Sequence, residues 1–192
     1  MAHGEPSRQL FGSELVNRLA AAAAADAQDH ISKGEYLTAA FSAAHHVRLT
    51  GEHPWGDDAQ AQMAQLLQAE IQDDLRADND DSAASRAATY QMLTDTVPWA
   101  SDELDRMFTA LKDIPETPGA YAELGIVDQI ADYLVLGGEV FWTEDEYQEM
   151  RRTAIVDFQH RMDANEEALA ADRLAFIDVL QEGIEAMARA SA

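Results

Sequence analysis

Apolar residues recur at every third or fourth position along most of this chain, which is the spacing that places them on one face of an α-helix. Links that contain Gly or Pro interrupt the pattern, and no stretch alternates apolar and polar residues as a strand would. The sequence therefore predicts an all-α protein, a helical bundle of about six to eight helices built from antiparallel helical hairpins. The predicted helices begin at or near Ser13, Tyr36, Asp57, Ser82, Ser101, Tyr121 and Thr143.

Two links organise the predicted bundle. The link at Lys33–Gly34 is so short that the helices on either side must form an antiparallel hairpin, and its glycine suits the left-handed conformation that ends a helix. The segment Pro115–Gly119 is the clearest loop in the chain. We therefore expect a flexible lead-in (1–12), an N-terminal helical bundle (13–114) and C-terminal helices (120–192) that pack on it within one domain.

The last part of the chain carries the longest amphipathic pattern. Thr143 and Glu146 form a capping-box pair at its start, and polar residues from Asp163 interrupt it, so it is either one long helix or two helices broken near Asp163. Long amphipathic helices at a terminus often pack on a partner or a second copy of the chain, although this segment could equally span its own bundle. The interface that we predict consists of the large apolar residues of this stripe, namely Phe158, Met162, Leu169, Phe176, Leu180 and Ile184.

The charge of the chain is strongly unbalanced. The formal net charge is -23 over 192 residues, and Lys33 and Lys112 are the only lysines. Three interpretations fit: a surface adapted to molar salt, an ordinary acidic protein from a high-GC genome, or a DNA mimic that occupies a basic cleft. All three disfavour direct contact with nucleic acid, because phosphate binding needs clusters of Lys and Arg. The carboxylates are spread over helix starts, turns and polar faces, which favours the salt-adapted surface.

Composition and motifs exclude several kinds of site. The chain has no cysteine, which excludes disulfides, thiolate zinc sites, iron–sulfur clusters and a cysteine nucleophile. No stretch approaches the ~18 consecutive apolar residues of a membrane span, and the N-terminus lacks the apolar segment of a signal peptide. Glycine motifs for nucleotides and a Ser–His–Asp spacing are also missing. We predict a cytoplasmic protein without a cofactor and without membrane contact.

Asp157 and His160 are the candidates for a metal site. They lie three residues apart in the last segment, which places both side chains on one helix face. A carboxylate–histidine metal site would use such a pair, but an ion pair or hydrogen bond along the helix explains the same spacing. The chain contains neither the Glu-x-x-His sequence of di-iron bundles nor a His-Glu-x-x-His sequence. The ion pair is therefore the preferred interpretation.

Arg48 and His53 are the candidates for catalysis. They are separated by four residues in the stretch Arg-Leu-Thr-Gly-Glu-His, after a helix that starts with many small residues. This stretch resembles the Arg-x(4–6)-His element of the HEPN-domain ribonucleases. The resemblance implies an all-α dimer that cleaves RNA without a metal ion, with Arg48 holding the phosphate and His53 acting in acid–base transfer. Gly51 within the stretch departs from the family, because it would end the helix that the family uses.

These observations lead to one preferred function and two alternatives. We expect a non-enzymatic, acidic helical protein from a salt-adapted organism that acts through protein–protein interaction, as an adaptor, a regulator or an assembly component. Its partner would be another protein or a second copy of the chain. The alternatives are a metal-independent ribonuclease of the HEPN type and an acidic DNA mimic that inhibits a nucleic-acid-binding protein.

Overall fold

The computed structural model describes residues 4–113, 123–139 and 142–190 of the chain. Within these ranges the chain forms nine α-helices and no strand, which confirms the predicted all-α bundle. The loop predicted at Pro115–Gly119 lies outside the described residues. The helices are α1 (Glu5–Phe11), α2 (Ser13–Ser32), α3 (Tyr36–Thr50), α4 (Asp57–Arg76), α5 (Asp80–Thr94), α6 (Ser101–Lys112), α7 (Leu124–Val135), α8 (Glu144–Asp163) and α9 (Glu167–Ala190).

Three of the links between consecutive helices share one backbone geometry. The α2–α3, α4–α5 and α8–α9 links each contain three residues, and the middle residue has a left-handed φ: 77° at Gly34, 56° at Asp78 and 59° at Asn165. In each link the next amide donates a 2.9 Å hydrogen bond to the carbonyl oxygen five residues earlier. This Schellman arrangement satisfies the carbonyl groups of the helix end and reverses the chain, so each helix pair forms an antiparallel hairpin.

Alanine allows the helices of the first hairpin to lie close together. Helices α2 and α3 form the most extensive helix pair of the described structure. Their small buried side chains permit a short distance between the helix axes. One continuous hydrophobic core joins these helices to α7, α8 and α9, so it contains residues of both predicted parts of the chain. The buried alanines of the pair are Ala20, Ala23, Ala27, Ala39, Ala40, Ala43 and Ala44.

Residues 5–11, which the sequence predicted as part of a flexible lead-in, form helix α1. Its buried residues are Pro6 and Ser7. The backbone amide of Ser7 donates a 2.9 Å hydrogen bond to Asp178, and the Ser7 hydroxyl donates one of 3.3 Å to the Leu174 carbonyl oxygen. Helix α1 therefore docks on α9. The prediction missed it because seven residues are too few to show a helical period.

The last segment consists of two helices rather than one. Helix α8 ends at Asp163 and α9 begins at Glu167, which places the break where the polar residues predicted it. The capping box at the start of α8 is confirmed, because the Thr143 amide donates a 2.6 Å hydrogen bond to the Glu146 carboxylate and the Glu146 amide donates one to the Thr143 hydroxyl. The prediction of about six to eight helices already allowed this break, so it is helix α1 that brings the described chain to nine helices.

Candidate functional site

Arg48 lies near the end of α3 and is almost completely buried. Its Nη2 atom lies 3.0 Å from a carboxylate oxygen of Asp178 and 2.7 Å from one of Glu182, both on α9. Asp178 has no solvent exposure and also accepts the hydrogen bond from Ser7. Burial raises the pKa of Asp178, although the charge of Arg48 acts to lower it. This ion cluster joins α1, α3 and α9.

His53 follows α3 and is exposed to solvent. Its ring packs edge-on against Trp55, and its Nε2 atom lies 3.5 Å from the side-chain nitrogen of Gln60. His53 and Arg48 line one cavity of about 260 Å³, which we call the Arg48 cavity. The structure thus brings the two predicted catalytic residues to one place.

The surroundings of Arg48 do not favour phosphate binding. Asp178 and Glu182 already hold its guanidinium group, so a phosphate would have to displace the buried carboxylate of Asp178 and the partly exposed one of Glu182. A ribonuclease of this type would also need Arg48 and His53 to reach the same phosphate group, because the arginine holds it while the histidine transfers the proton. The ribonuclease function therefore remains a prediction, and the carboxylates around Arg48 are unfavourable for it.

Asp157 and His160, the predicted metal candidates, have separate environments. Asp157 of α8 accepts a 3.1 Å hydrogen bond from Arg173 of α9, and its carboxylate lies 3.5 Å from Arg161. His160 is exposed. Among the residues that the structure describes, no group of three or more His, Asp or Glu side chains is arranged to hold a metal ion. Asp157 thus forms ion pairs, but its partners are arginines and not His160.

The apolar stripe that we predicted as an interface belongs mostly to the protein's own core. Phe158, Phe176 and Leu180 are buried, and Met162 and Ile184 are partly buried against the core. Of the six predicted residues only Leu169 is substantially exposed. The periodicity correctly identified a buried face, but periodicity does not tell whether a partner or the same chain covers that face. The other helices of the bundle cover it here.

Leu169 lies on a groove between α3 and α9. We call it the Phe41–Leu169 groove, and it has a volume of about 300 Å³. Phe41 is 38% exposed and Leu169 is 49% exposed. The polar side chains of the groove are Asp26, Ser42, His45 and Asp172.

The carboxylates of this groove are held in place. His45 Nε2 lies 2.9 Å from an oxygen of Asp172, and the Ser42 hydroxyl donates a hydrogen bond to Asp26. Burial acts to raise the pKa of Asp172, but the nearby His45 and Arg173 outweigh it and leave that pKa below its ordinary value. The groove therefore combines two exposed apolar side chains with an ionised carboxylate.

The sequence interpretation missed a second polar cluster inside the bundle. Arg173 of α9 is buried and pairs with Asp128 of α7 as well as with Asp157 of α8. One turn after Asp128, Asp132 is buried, and burial raises its pKa well above the ordinary value in spite of a hydrogen bond with Ser85. The available signal was that α7 is mostly apolar and contains two carboxylates four residues apart.

None of the described helices is both long enough and apolar enough to span a bilayer. No protein-family model matches the chain, and neither does any curated protein or solved structure.

Proposed function

We propose that this protein is a non-enzymatic binding protein that holds a basic segment of a partner protein in the Phe41–Leu169 groove. The observation that carries the proposal is the exposure of two large apolar side chains, from different helices, over one concave site beside an ionised carboxylate. Single exposed apolar residues are common on proteins and need no explanation. Two of them that share a groove with carboxylates form a surface that a partner can cover.

The apolar part of the groove supplies a modest anchor. Complete burial of a Leu or Phe side chain contributes about 1.5–3 kcal/mol. Phe41 and Leu169 are already half covered, so a partner that covers the rest would gain about 1 kcal/mol from each side chain. Apolar contact alone therefore gives weak binding, and the charge of the partner has to supply the remainder.

The net charge of -23 favours a basic partner. Opposite charge speeds association and excludes partners of the same sign. A second copy of the chain would carry the same net charge of -23, so self-association is disfavoured unless salt screens the repulsion. The partner that fits is a segment with one or two large apolar side chains flanked by Lys or Arg. Such binding suits an adaptor, a regulator or an assembly component.

The two alternative functions lead to different observations. A ribonuclease would cleave RNA and lose that activity in His53→Ala. A DNA mimic would bind a basic nucleic-acid-binding protein over a wide acidic face and would depend little on Phe41 or Leu169.

The proposed function is tested with a fluorescent, designed peptide that carries Leu and Lys on opposite faces of a helix. Binding is measured by fluorescence anisotropy for the native chain, for Phe41→Ala and for Leu169→Ala. Leu66→Ala is the matched control, because Leu66 is 39% exposed on α4 and lies outside the groove. Circular dichroism checks that each variant stays folded. An acidic peptide with Glu at the lysine positions tests the role of charge.

We expect each groove variant to weaken binding of the basic peptide about fivefold, since a loss of about 1 kcal/mol corresponds to that factor. Leu66→Ala should change the affinity by less than about twofold, and the acidic peptide should not bind. Affinities of Phe41→Ala and Leu169→Ala that fall no further than that of Leu66→Ala would mean that the peptide binds the acidic surface without using the groove, which would overturn the proposal. A dimer in sedimentation experiments that Leu169→Ala dissociates would replace the basic partner with a second copy.

A further inference from the structure

One wall of the Phe41–Leu169 groove is a histidine–carboxylate pair. His45 of α3 is almost completely buried, and its Nε2 atom lies 2.9 Å from an oxygen of Asp172 on α9. Both residues line the groove. Histidine is the side chain that ordinarily gains or loses a proton between about pH 5 and 8. The charge that this wall presents to a ligand therefore depends on the protonation of His45.

The hydrogen bond with Asp172 determines where His45 takes up its proton. Burial acts to raise the pKa of Asp172, but His45 and Arg173 leave that pKa below its ordinary value, so the carboxylate is ionised. An ionised carboxylate only accepts hydrogen bonds, and Nε2 of His45 must therefore carry a hydrogen. The lone pair of the neutral ring is then on Nδ1. Protonation at Nδ1 makes the ring a cation and keeps the contact with Asp172.

His45 is the nearest basic side chain to Asp172 among the described residues. Arg173 lies 4.0 Å from the carboxylate of Asp172, but its shorter contacts are with Asp128 of α7 and Asp157 of α8. Arg161 of α8 acts more weakly on Asp172 and lies 3.5 Å from Asp157. The two arginines thus divide their charge among several carboxylates. The protonation of His45 decides how much of the charge of Asp172 remains for a ligand.

The remaining charged groups around the groove lie on α2 and α7. On α2, Asp26 lines the groove and lies 3.9 Å from His30, whose nearer partner is Glu35 at 2.7 Å. On α7, burial raises the pKa of Asp132, and the charge of Asp172 adds to that rise. Helices α4 and α5 also pack on α3, but none of their charged side chains, all of which the structure describes, lines the groove. His30 is therefore the other histidine that a test has to separate from His45.

We propose that proton uptake by His45 weakens the hold of the groove on its basic partner, so that binding is strong at neutral pH and is lost in mild acid. The inference rests on the proposed function. With His45 neutral, the carboxylate of Asp172 is available to a Lys or Arg of the partner. With His45 charged, the imidazolium group compensates Asp172 and repels the cation of the partner. By linkage, binding of the partner expels the proton from His45 to the same extent.

The test measures the affinity of the Leu–Lys peptide by fluorescence anisotropy from about pH 5.5 to about pH 8 at constant ionic strength, a range in which lysine keeps its charge. His45→Gln keeps an N–H donor for Asp172 and takes up no proton. His160→Gln is the matched control, because it also removes a histidine but lies exposed on α8 outside the groove. His30→Gln tests the second histidine. Circular dichroism at both ends of the range checks that each variant stays folded.

We expect the affinity of the native chain to fall about fivefold between pH 8 and pH 5.5, which is the effect of one unfavourable charge contact at a partly exposed site. His45→Gln should bind like the native chain at the higher pH, and its affinity should vary less than about twofold over the range. His160→Gln and His30→Gln should keep the native pH dependence. Calorimetry in two buffers of different ionisation heat should show proton release on binding for the native chain and not for His45→Gln.

The outcomes separate this inference from the proposed function. Peptide binding that does not change with pH, or that changes equally in His45→Gln, would overturn the inference and leave the proposed function standing. A pH dependence that disappears in His30→Gln instead would also overturn it. Absence of peptide binding at every pH would overturn the proposed function, and the inference with it.

Discussion

Arg48→Met tests whether the buried ion cluster holds α3 to α9. Arg48 and Asp178 are both buried, and the distances of 3.0 Å to Asp178 and 2.7 Å to Glu182 give the guanidinium group two charged partners. Methionine fills most of the same volume but leaves Asp178 with the Ser7 amide as its hydrogen-bond donor. Removing one partner of a buried ion pair costs about 3–5 kcal/mol, because the remaining charge stays buried without compensation.

That loss is large compared with the stability of an ordinary domain. Domains unfold with free energies of about 5–15 kcal/mol, and 1 kcal/mol shifts the melting temperature of a chain of this size by about 2–4 °C. We therefore expect Arg48→Met to lower the melting temperature by about 10 °C. The assay is thermal and urea unfolding followed by circular dichroism at the helix band. Arg161→Met is the matched control, since the side chain of Arg161 is 35% exposed and its pairs should contribute less than about 1 kcal/mol.

Two further measurements separate the ion pair from simple loss of packing. Asp178→Asn in the Arg48→Met background removes the buried charge and should recover most of the lost stability. The destabilisation by Arg48→Met should also shrink at low pH. The pKa of Asp178 is already raised, and the loss of Arg48 raises that pKa further. The folded variant therefore takes up a proton more readily than the unfolded chain, so its stability increases as the pH falls. A loss below about 1 kcal/mol, or no recovery in the double variant, would refute the reasoning.

Three other substitutions test particular parts of the fold. Asp132→Asn should stabilise the protein at neutral pH. Burial raises the pKa of Asp132, so the folded state loses stability as the pH rises above the pKa that this carboxyl has in the unfolded chain. The gain from the substitution should therefore vanish as the pH falls toward about 4. A gain that is the same at both pH values in urea unfolding would contradict this. Gly4→Ala should loosen α1 by about 1–3 kcal/mol, because an added Cβ would overlap the Leu49 carbonyl oxygen and the φ of 63° is left-handed. Faster amide hydrogen exchange confined to α1 would support this effect of Gly4→Ala, and unchanged exchange in α1 would contradict it. Thr143→Ala should cost about 1 kcal/mol through loss of the capping box with Glu146, measured as a shift of the urea midpoint, and an unchanged midpoint would count against the cap.

The helices and most of the buried face could be predicted from the sequence, because helical periodicity reports directly which positions are covered. Periodicity does not report the backbone conformation of the turns between the helices. Gly34 was recognisable, since glycine adopts a left-handed φ without strain, whereas Asp78 and Asn165 take the same conformation and look like ordinary polar residues. The polar stretches around Asp78 and Asn165 indicated a turn or a break, but not the left-handed conformation of the middle residue.

The candidate sites depended on information that periodicity does not contain. The sequence marked Arg48 as a candidate and could not show that α9 supplies two carboxylates to it, because residues 48 and 178 are far apart along the chain. Phe41 and Leu169 also come from distant helices, so their groove was invisible in the sequence. The interface stays a prediction, but the chain itself buries Phe158, Phe176 and Leu180 and partly covers Met162 and Ile184, which leaves Leu169 as the exposed member of the stripe.

The most direct test of the proposed function is to map where a basic ligand binds. The native chain, labelled with ¹⁵N, is titrated with the Leu–Lys peptide while amide chemical shifts are recorded. Our account predicts that the largest shifts follow one saturation curve and cluster at the amides around Phe41 and Leu169 on α3 and α9. Shifts spread evenly over the acidic surface, or concentrated on helices away from this groove, would contradict it.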